Sequence, residues 1–600
     1  LIKKSLFALF FILFLTLLFL LIRLPFLTAD PPAGFSLDFF GDEGCWVHNV
    51  RNRVLFDAWI LDDINMAYLI SPTYCFSTYL FLKTFGSGLY QARLVSAASG
   101  ALAPLLLFLI LSRLWDRRAA FWGAVLLGCN FFFLCFNRIA LVDSLLLMAT
   151  LLFFWLWIAG RDRPAFRFLA GVAFAAACLV KVSALFVAPA LFFLLLRERS
   201  NQNFRTRHAV SCLIAFLAGC AVVFAGYMVL VAYPNFHYIQ ILKGKFTRHN
   251  FPLNPVHMIA NFSIYIVRQH GEGVALKNFF LWAPFIILTA WLYMIHFFYR
   301  LLLEGKSIWR KISRVEILAL SWLFSYLLIL GPMAYKPDRR YIMLLPPLII
   351  LALRFLLEVR CLPLGDIVRE LFSFQKGRVV RRFLLLAALL FFPLVYAAPL
   401  VTNLLYPFLV RADRAFSLGK ISGMVGFVSI SFCLVISFLL LVLLLFLFRG
   451  IFQRIRTVRF PLWLAIGSIL CFNLGLYALS LNRATFTIFK ASGKLNTIFD
   501  EKTVVMGEPS DTLCLETRAF SFFTAGTAPG IILNDHAVER FAPDYYLMMK
   551  YENNPLRNTP VGIDPQILEF MEDIPLLPGK SGEPRMHARL YRVIKESKEK

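Results

Sequence analysis

Charge is scarce in this chain. Only 16% of its 600 residues are Asp, Glu, Lys or Arg, against roughly a quarter in a soluble domain, so water is excluded as the main solvent of the folded chain. Acidic residues are scarcer than basic ones, at 35 against 61, and the formal net charge is +26. In a soluble protein that excess would point to nucleic acid, but here the cations fall in short links between apolar runs and read as topology. CxxC pairs and zinc spacings are absent, so the eleven cysteines read as small core residues, and Cys45 and Cys75 could pair although nothing requires it. Solenoid repeats and low-complexity linkers are also absent.

What remains is apolar. Hydrophobic residues make up 60% of the chain and the mean hydropathy is +0.72. One run, Ile421 to Phe448, has no ionisable side chain but the thiol of Cys433. Such runs recur at bilayer length, and they predict spans near 6–27, 92–112, 118–136, 144–159, 165–180, 184–196, 209–231, 278–300, 315–333, 342–357, 383–402, 421–448 and 461–481, about thirteen helices. With the N-terminus inside, every link on the inner side is basic: Arg113, Arg117 and Arg118; Arg161 and Arg163; Arg197, Arg199, Arg205 and Arg207; Lys306, Arg310 and Lys311; Arg378, Arg381 and Arg382; Arg449, Arg454 and Arg456. The positive-inside rule is met repeatedly.

The first stretch follows Lys3 and Lys4, is long and ends at no small-residue cleavage site, so it reads as a retained helix with Arg23 snorkelling near its outer end. The first outer loop, about 28–91, is acidic. Within it, Tyr68 to Phe85 is apolar but holds Pro72 and ends at a glycine; it is placed in the interface, because a span there would turn Arg117 and Arg118 outward. From about 485 the composition becomes mixed, with β-rich pieces at Thr503 to Met506 and Gly530 to Leu533. The expected architecture is therefore an all-α polytopic membrane domain, 1–484, and a small C-terminal α/β domain, 485–600, outside the membrane. The expected location is the cytoplasmic (inner) membrane, with a cytoplasmic N-terminus and a periplasmic C-terminal domain.

Ionisable residues gather at the outer face. Asp42 and Glu43 follow the first span; they could favour a helix N-terminus, hold a metal, or take a proton from an acceptor hydroxyl. Asp143, where the third span meets the same face, could cap the fourth span or act with Asp42. Lys181 follows the fifth span and could snorkel. The run Lys336-Pro337-Asp338-Arg339-Arg340-Tyr341 places three cations where topology disfavours them, as a phosphate ligand would explain. The histidines of the 232–277 loop, His249 among them, have no zinc-helix spacing and read first as polar surface residues.

The order of Gly41-Asp42-Glu43, Ser71-Pro72, Phe85-Gly86, Ala92-Arg93-Leu94, Asn137-Arg138 to Asp143, Val180-Lys181, Pro234-Asn235-Phe236, Arg340-Tyr341 and Pro346-Pro347 resembles that of GT-C glycosyltransferases, in the bacterial protein-mannosyltransferase-like and aminoarabinose-transferase-like group. The resemblance implies transfer of a hexosyl or pentosyl sugar, with inversion, from a polyprenyl-phosphate carrier to a protein, lipid or glycan acceptor at the outer membrane face. It implies Asp42 as base or acceptor-orienting group, assisted by Glu43 and Asp143. Lys181, Lys336, Arg339, Arg340 and Tyr341 would bind the lipid phosphate, and Arg138 and Arg93 are further candidates. A divalent metal ion, if used, would fall to Asp42, Asp143 and His249. The acidic-basic-proline motif of aminoarabinose-transferase-like members is absent: the chain reads Asn65-Met66-Ala67-Tyr68-Leu69-Ile70-Ser71-Pro72, which weakens the case for that donor and for a metal on this loop. The competing expectation is a transporter or lipid-linked sugar flippase, which would carry its charges within the spans.

Overall fold

The computed structural model describes residues 2–32, 39–59, 66–160, 163–199, 206–240, 279, 281–333, 338–372, 379–391, 393–394, 436–448, 450–451, 458–459, 461–507, 509–522, 541–551, 563–578 and 584–595. Most form helices. Six stretches are long and apolar enough to cross a membrane: Leu89–Leu114, Val142–Ala159, Val210–Ala232, Pro284–Lys311, Asp338–Val359 and Leu462–Leu495. Shorter apolar helices cover Leu13–Arg23, Pro164–Val180 and Ile436–Leu447. Along one of the long stretches Val210, Ile214, Leu217 and Val222 stand exposed, a stripe that only lipid or another apolar partner tolerates. The expected count of about thirteen spans extends into residues outside the described ones.

The helices that position the site are α1 (Ile2–Arg23), α2 (Phe39–Phe56), α3 (Pro72–Phe85), α4 (Leu89–Leu114), α5 (Arg117–Gly128), α6 (Phe131–Phe136), α7 (Val142–Ala159), α8 (Pro164–Val180), α9 (Arg314–Leu330) and α10 (Leu345–Arg354). Helix α3 is the apolar stretch of the first loop. It begins at Pro72, whose missing N–H costs nothing in a first turn, and it leaves Phe76, Leu80 and Phe85 exposed. That face suits the headgroup boundary expected for it.

Two local expectations are corrected. The predicted span 118–136 is broken into α5 and α6, because Asn130 caps α6 through the Phe133 amide at 3.0 Å while Asn473 Oδ1 accepts the Phe131 amide at 2.8 Å. Polar side chains thus replace the helical ladder at the break. Arg23 does not snorkel. It is fully buried and donates to Asn137 Oδ1 at 2.8 Å, to the Phe19 carbonyl at 2.7 Å and to the Gly128 carbonyl at 3.2 Å, because the break exposes carbonyl groups that an arginine fork can satisfy more favourably than the interface. Asn137 passes on to Ser144 Oγ at 2.9 Å, and Gly100 leaves room for it: a Cβ there would stand 2.1 Å from Asn137 Oδ1. Cys45 and Cys75 are both buried.

At one end of the bundle lies a mixed five-stranded sheet, β1 (Val504–Gly507), β2 (Phe520–Phe522), β3 (Tyr545–Tyr551), β4 (Leu568–Pro578) and β5 (Pro584–Val593), in the order β2-β1-β3-β5-β4. The first three strands run parallel and the β4–β5 hairpin pairs antiparallel to β3. The short helix α11 (Ser510–Leu513) between β1 and β2 rests on α2. Its Asp511 is fully buried, accepts the Thr512 amide at 2.7 Å through Oδ1 and finds no hydrogen-bond partner for Oδ2.

Burial raises the Asp511 carboxyl to about 7, with His48, Cys45 and Thr512 pulling the other way. The folded pKa therefore exceeds the unfolded one, so the fold binds the extra proton between about pH 4 and 7 and its stability falls as pH rises through that window. Asp511→Asn is expected to flatten this part of the stability profile and to raise the melting temperature most at pH 8, which thermal unfolding in detergent at pH 5 and 8 would check.

Candidate active site

Three chain breaks converge at the end of the bundle nearest the sheet. Helix α7 opens with Asp143 in its first turn, where a carboxylate favours the helix dipole. Asp143 is not the cap itself, since Leu141 holds that position without a side-chain bond. Helix α8 stops at Val180 because Lys181 takes an extended backbone, and Ser71 Oγ donates to the freed Val180 carbonyl at 2.6 Å. Helix α10 starts at Leu345 with Pro346 and Pro347 in its first turn. A proline disfavours helical backbone in the residue before it, and the chain enters through 3-10 turns, Asp338–Leu344, that carry Arg339, Arg340 and Tyr341.

The side chains meet. Lys181 Nζ donates to Asp143 Oδ1 at 2.7 Å, and Arg339 Nε stands 3.7 Å from Asp143 Oδ2. Asp143 and Arg339 are buried. Arg340 donates to Met333 Sδ at 3.4 Å, and Tyr341, fully buried, stacks on Phe279 with ring centres 5.4 Å apart. Lys181, Arg339 and Arg340 thus gather at Asp143. Burial, the largest cause, lowers the Lys181 ammonium to about 8; Asp143 opposes this, and Arg339 and Arg340 add to it.

Beside this cluster, Glu43 and Arg93 form a fully buried fork, with Nε to Oε1 at 2.6 Å and Nη2 to Oε2 at 2.7 Å. Arg93 Nη1 also donates to the Leu27 and Ala29 carbonyls at 2.8 and 2.6 Å. Glu43 Oε1 further accepts the Ala140 amide at 2.8 Å, three residues before Asp143. Both Glu43 oxygens are engaged, and the residue ties α2 to the segment that leads into Asp143. Arg138 donates to the Pro25 carbonyl at 2.8 Å and to that of Phe26 and lies over the Tyr477 ring. Asp42 sits in the first turn of α2, next to Glu43; its side chain, Lys336 and His249 lie outside what the structure describes.

Sequence reading missed three buried hydroxyls at this site. Tyr326 of α9 neighbours Asp143, Arg340 and Ser183, and Tyr74 of α3 neighbours Asp143 and Glu43. Each stands in an apolar run, where a single sequence offers no sign that sets it apart from core.

For a metal ion the described residues fit poorly. No three His, Cys, Asp or Glu side chains converge among them, and Asp143 is ringed by cations that would repel a dication.

Residues 71–225, about a quarter of the chain, match the profile of the dolichyl-phosphate-mannose-protein mannosyltransferase family. No curated protein sequence matches. Among solved structures, ArnT from Cupriavidus metallidurans in the apo state shares the fold at TM-score 0.50 and 13% identity, over 98% of either chain. The same protein bound to undecaprenyl phosphate gives 0.49 at 13% identity, over 97% of this chain and 98% of that one. Archaeal oligosaccharyltransferase AglB from Archaeoglobus fulgidus, in complex with an inhibitory peptide and a dolichol-phosphate, gives 0.45 at 12%, over 90% of this chain and 69% of that one. The chain therefore has the multi-pass membrane fold of ArnT, and its residues 71–225 are similar in sequence pattern to the protein mannosyltransferase family.

Proposed function

We propose that this chain transfers a sugar from a polyprenyl-phosphate carrier to an acceptor hydroxyl or amide at the outer face of the cytoplasmic membrane, with the sheet domain on that outer side. The observation that carries this reading is the gathering of Lys181, Arg339 and Arg340 around Asp143 at the bundle end where α2 begins. A lipid phosphodiester carries the negative charge that such a group of cations binds, and its charge grows as the bond to the sugar breaks.

In this reading Asp42 takes the proton of the acceptor as the acceptor atom bonds to the anomeric carbon. The bond from that carbon to the phosphate oxygen breaks on the opposite face, inverting the centre, and the polyprenyl phosphate leaves. Lys181, Arg339 and Arg340 stabilise the leaving oxygen, the kind of preorganised charge that lowers such barriers most. Asp143 holds Lys181 and Arg339 in place until phosphate competes for them.

Incubating the chain in lipid with a panel of polyprenyl-phosphate sugars should reveal one donor that is turned over. No turnover with any donor, with carrier crossing the bilayer instead, would move the reading to a flippase. Lys181→Met should raise the donor KM at least tenfold, since a charge-assisted hydrogen bond contributes about 1.5–3 kcal/mol. In the wild type the same KM should climb as pH rises through about 8, where free Lys181 loses its proton, and the methionine variant should lose that rise.

A further inference from the structure

Helix α2 is polar where most helices of this chain are apolar, yet Glu43, His48, Asn49, Arg51 and Asn52 are all buried. Two bodies share the work of satisfying it. The bundle holds Glu43, as described above. The sheet domain holds the rest of the helix: the Gly44 amide donates to Thr512 Oγ1 at 3.1 Å, and Asn52 Nδ2 donates to the Ser521 carbonyl at 2.7 Å. Arg51 donates to the Ala519 carbonyl at 2.9 Å and to that of Thr517. The Phe56 ring meets Phe520 edge-on at 5.4 Å.

The approach is close enough to require glycine: a Cβ on residue 44 would stand 2.3 Å from the Thr512 amide nitrogen. A guanidinium, a carboxamide and a carboxylate, each matched to its own partner in a dry setting, allow one register only. Sliding the helix by one residue would leave all three buried and unpaired.

We infer that the sheet domain is a positioning part of the transfer site: by clamping α2 at Gly44, Arg51 and Asn52 it sets where Asp42, two residues before Gly44, stands. Thr512, Arg51 and Asn52 are positioning residues, acting on the reaction through the helix. This rests on the glycosyl-transfer reading and adds to it a duty for the C-terminal domain. Geometry at a reacting centre is steep, so a displacement of about 1 Å can cost on the order of 100-fold.

The test compares wild type, Thr512→Val and Thr512→Ser, each as full chain in lipid with the donor that wild type turns over. Serine keeps the oxygen that accepts the Gly44 amide; valine keeps the volume and removes it. Valine should lower kcat about tenfold or more, leave the donor KM unchanged, and speed amide exchange across residues 43–50, and serine should restore both. A valine variant with wild-type kcat and exchange, or a kcat loss that serine fails to restore, overturns the inference. If valine fails to insert, Asn52→Ala, which removes the bond to Ser521, is read in the same way. If wild type transfers no sugar from any donor, the parent reading fails on its own, and exchange alone decides: faster exchange in valine restored by serine keeps the clamp, unchanged exchange sinks it.

Discussion

Asp42→Asn should reduce sugar transfer about 1,000-fold, within the range of about 100- to 10,000-fold expected when a positioned base is removed, while leaving insertion and donor binding intact. The expectation follows from where the residue stands. It opens α2, and its neighbour Glu43 is bound to Arg93 and to the Ala140 amide, so the two carboxylates divide their duties. Both Glu43 oxygens are engaged in the fold, so the proposed reaction gives the proton to Asp42. Asparagine matches its shape and can still accept a hydrogen bond, but it cannot carry a proton away. The loss should therefore fall on kcat and not on the donor KM, the mark of an interaction made in the transition state. Single-turnover transfer from a radiolabelled donor, alongside donor binding by equilibrium filtration, separates the two. Full activity in this variant would remove Asp42 from the mechanism. A tenfold loss confined to KM would recast it as a binding group.

The helical layout was legible because lipid imposes it. A run of about twenty apolar residues can satisfy its backbone in a membrane only as a helix, and the Arg and Lys links ordered the runs without any knowledge of packing. Side chains that break the pattern were harder to read. Asn130 and Asn473 look like minor blemishes in apolar runs, and only their meeting in space, with Phe131 between them, shows that one span is two helices. Arg23 read as a snorkelling residue because a sequence cannot show that Asn137 and the Gly128 carbonyl lie beside it.

At the site, charge is rare enough in this chain to stand out, which is why Asp143, Lys181 and Arg339 were found from residues far apart in sequence. Tyr74, Ser183 and Tyr326 were not found, since a hydroxyl in an apolar helix has the same local signature whether it serves a ligand or a neighbour. Arg93 illustrates the remaining gap: the sequence marked it as a candidate and could not show that Glu43 is its partner.

That fork carries the largest expected effect on stability. Arg93→Met would leave the Glu43 carboxylate buried with one amide for company, and breaking a buried ion pair from one side costs about 3–5 kcal/mol. Against a total of about 5–15 kcal/mol for a typical fold, this is enough to deplete the folded population, and Arg93→Met should show a sharply lowered melting temperature and poor recovery from detergent. Arg93→Lys should recover little, because an ammonium cannot make both bonds of the fork while also reaching the Leu27 and Ala29 carbonyls. The double variant Arg93→Met with Glu43→Leu tells more. Removing both charges abolishes the stranded carboxylate, so stability should return to within a few kcal/mol of wild type. Transfer should stay low, because the Ala140 amide has lost its acceptor and α2 its tie to the Asp143 segment. A double variant that regains both stability and activity would mean that the pair serves the fold alone. One that regains stability without activity would make Glu43 the hinge through which the fold holds Asp42 against the phosphate site.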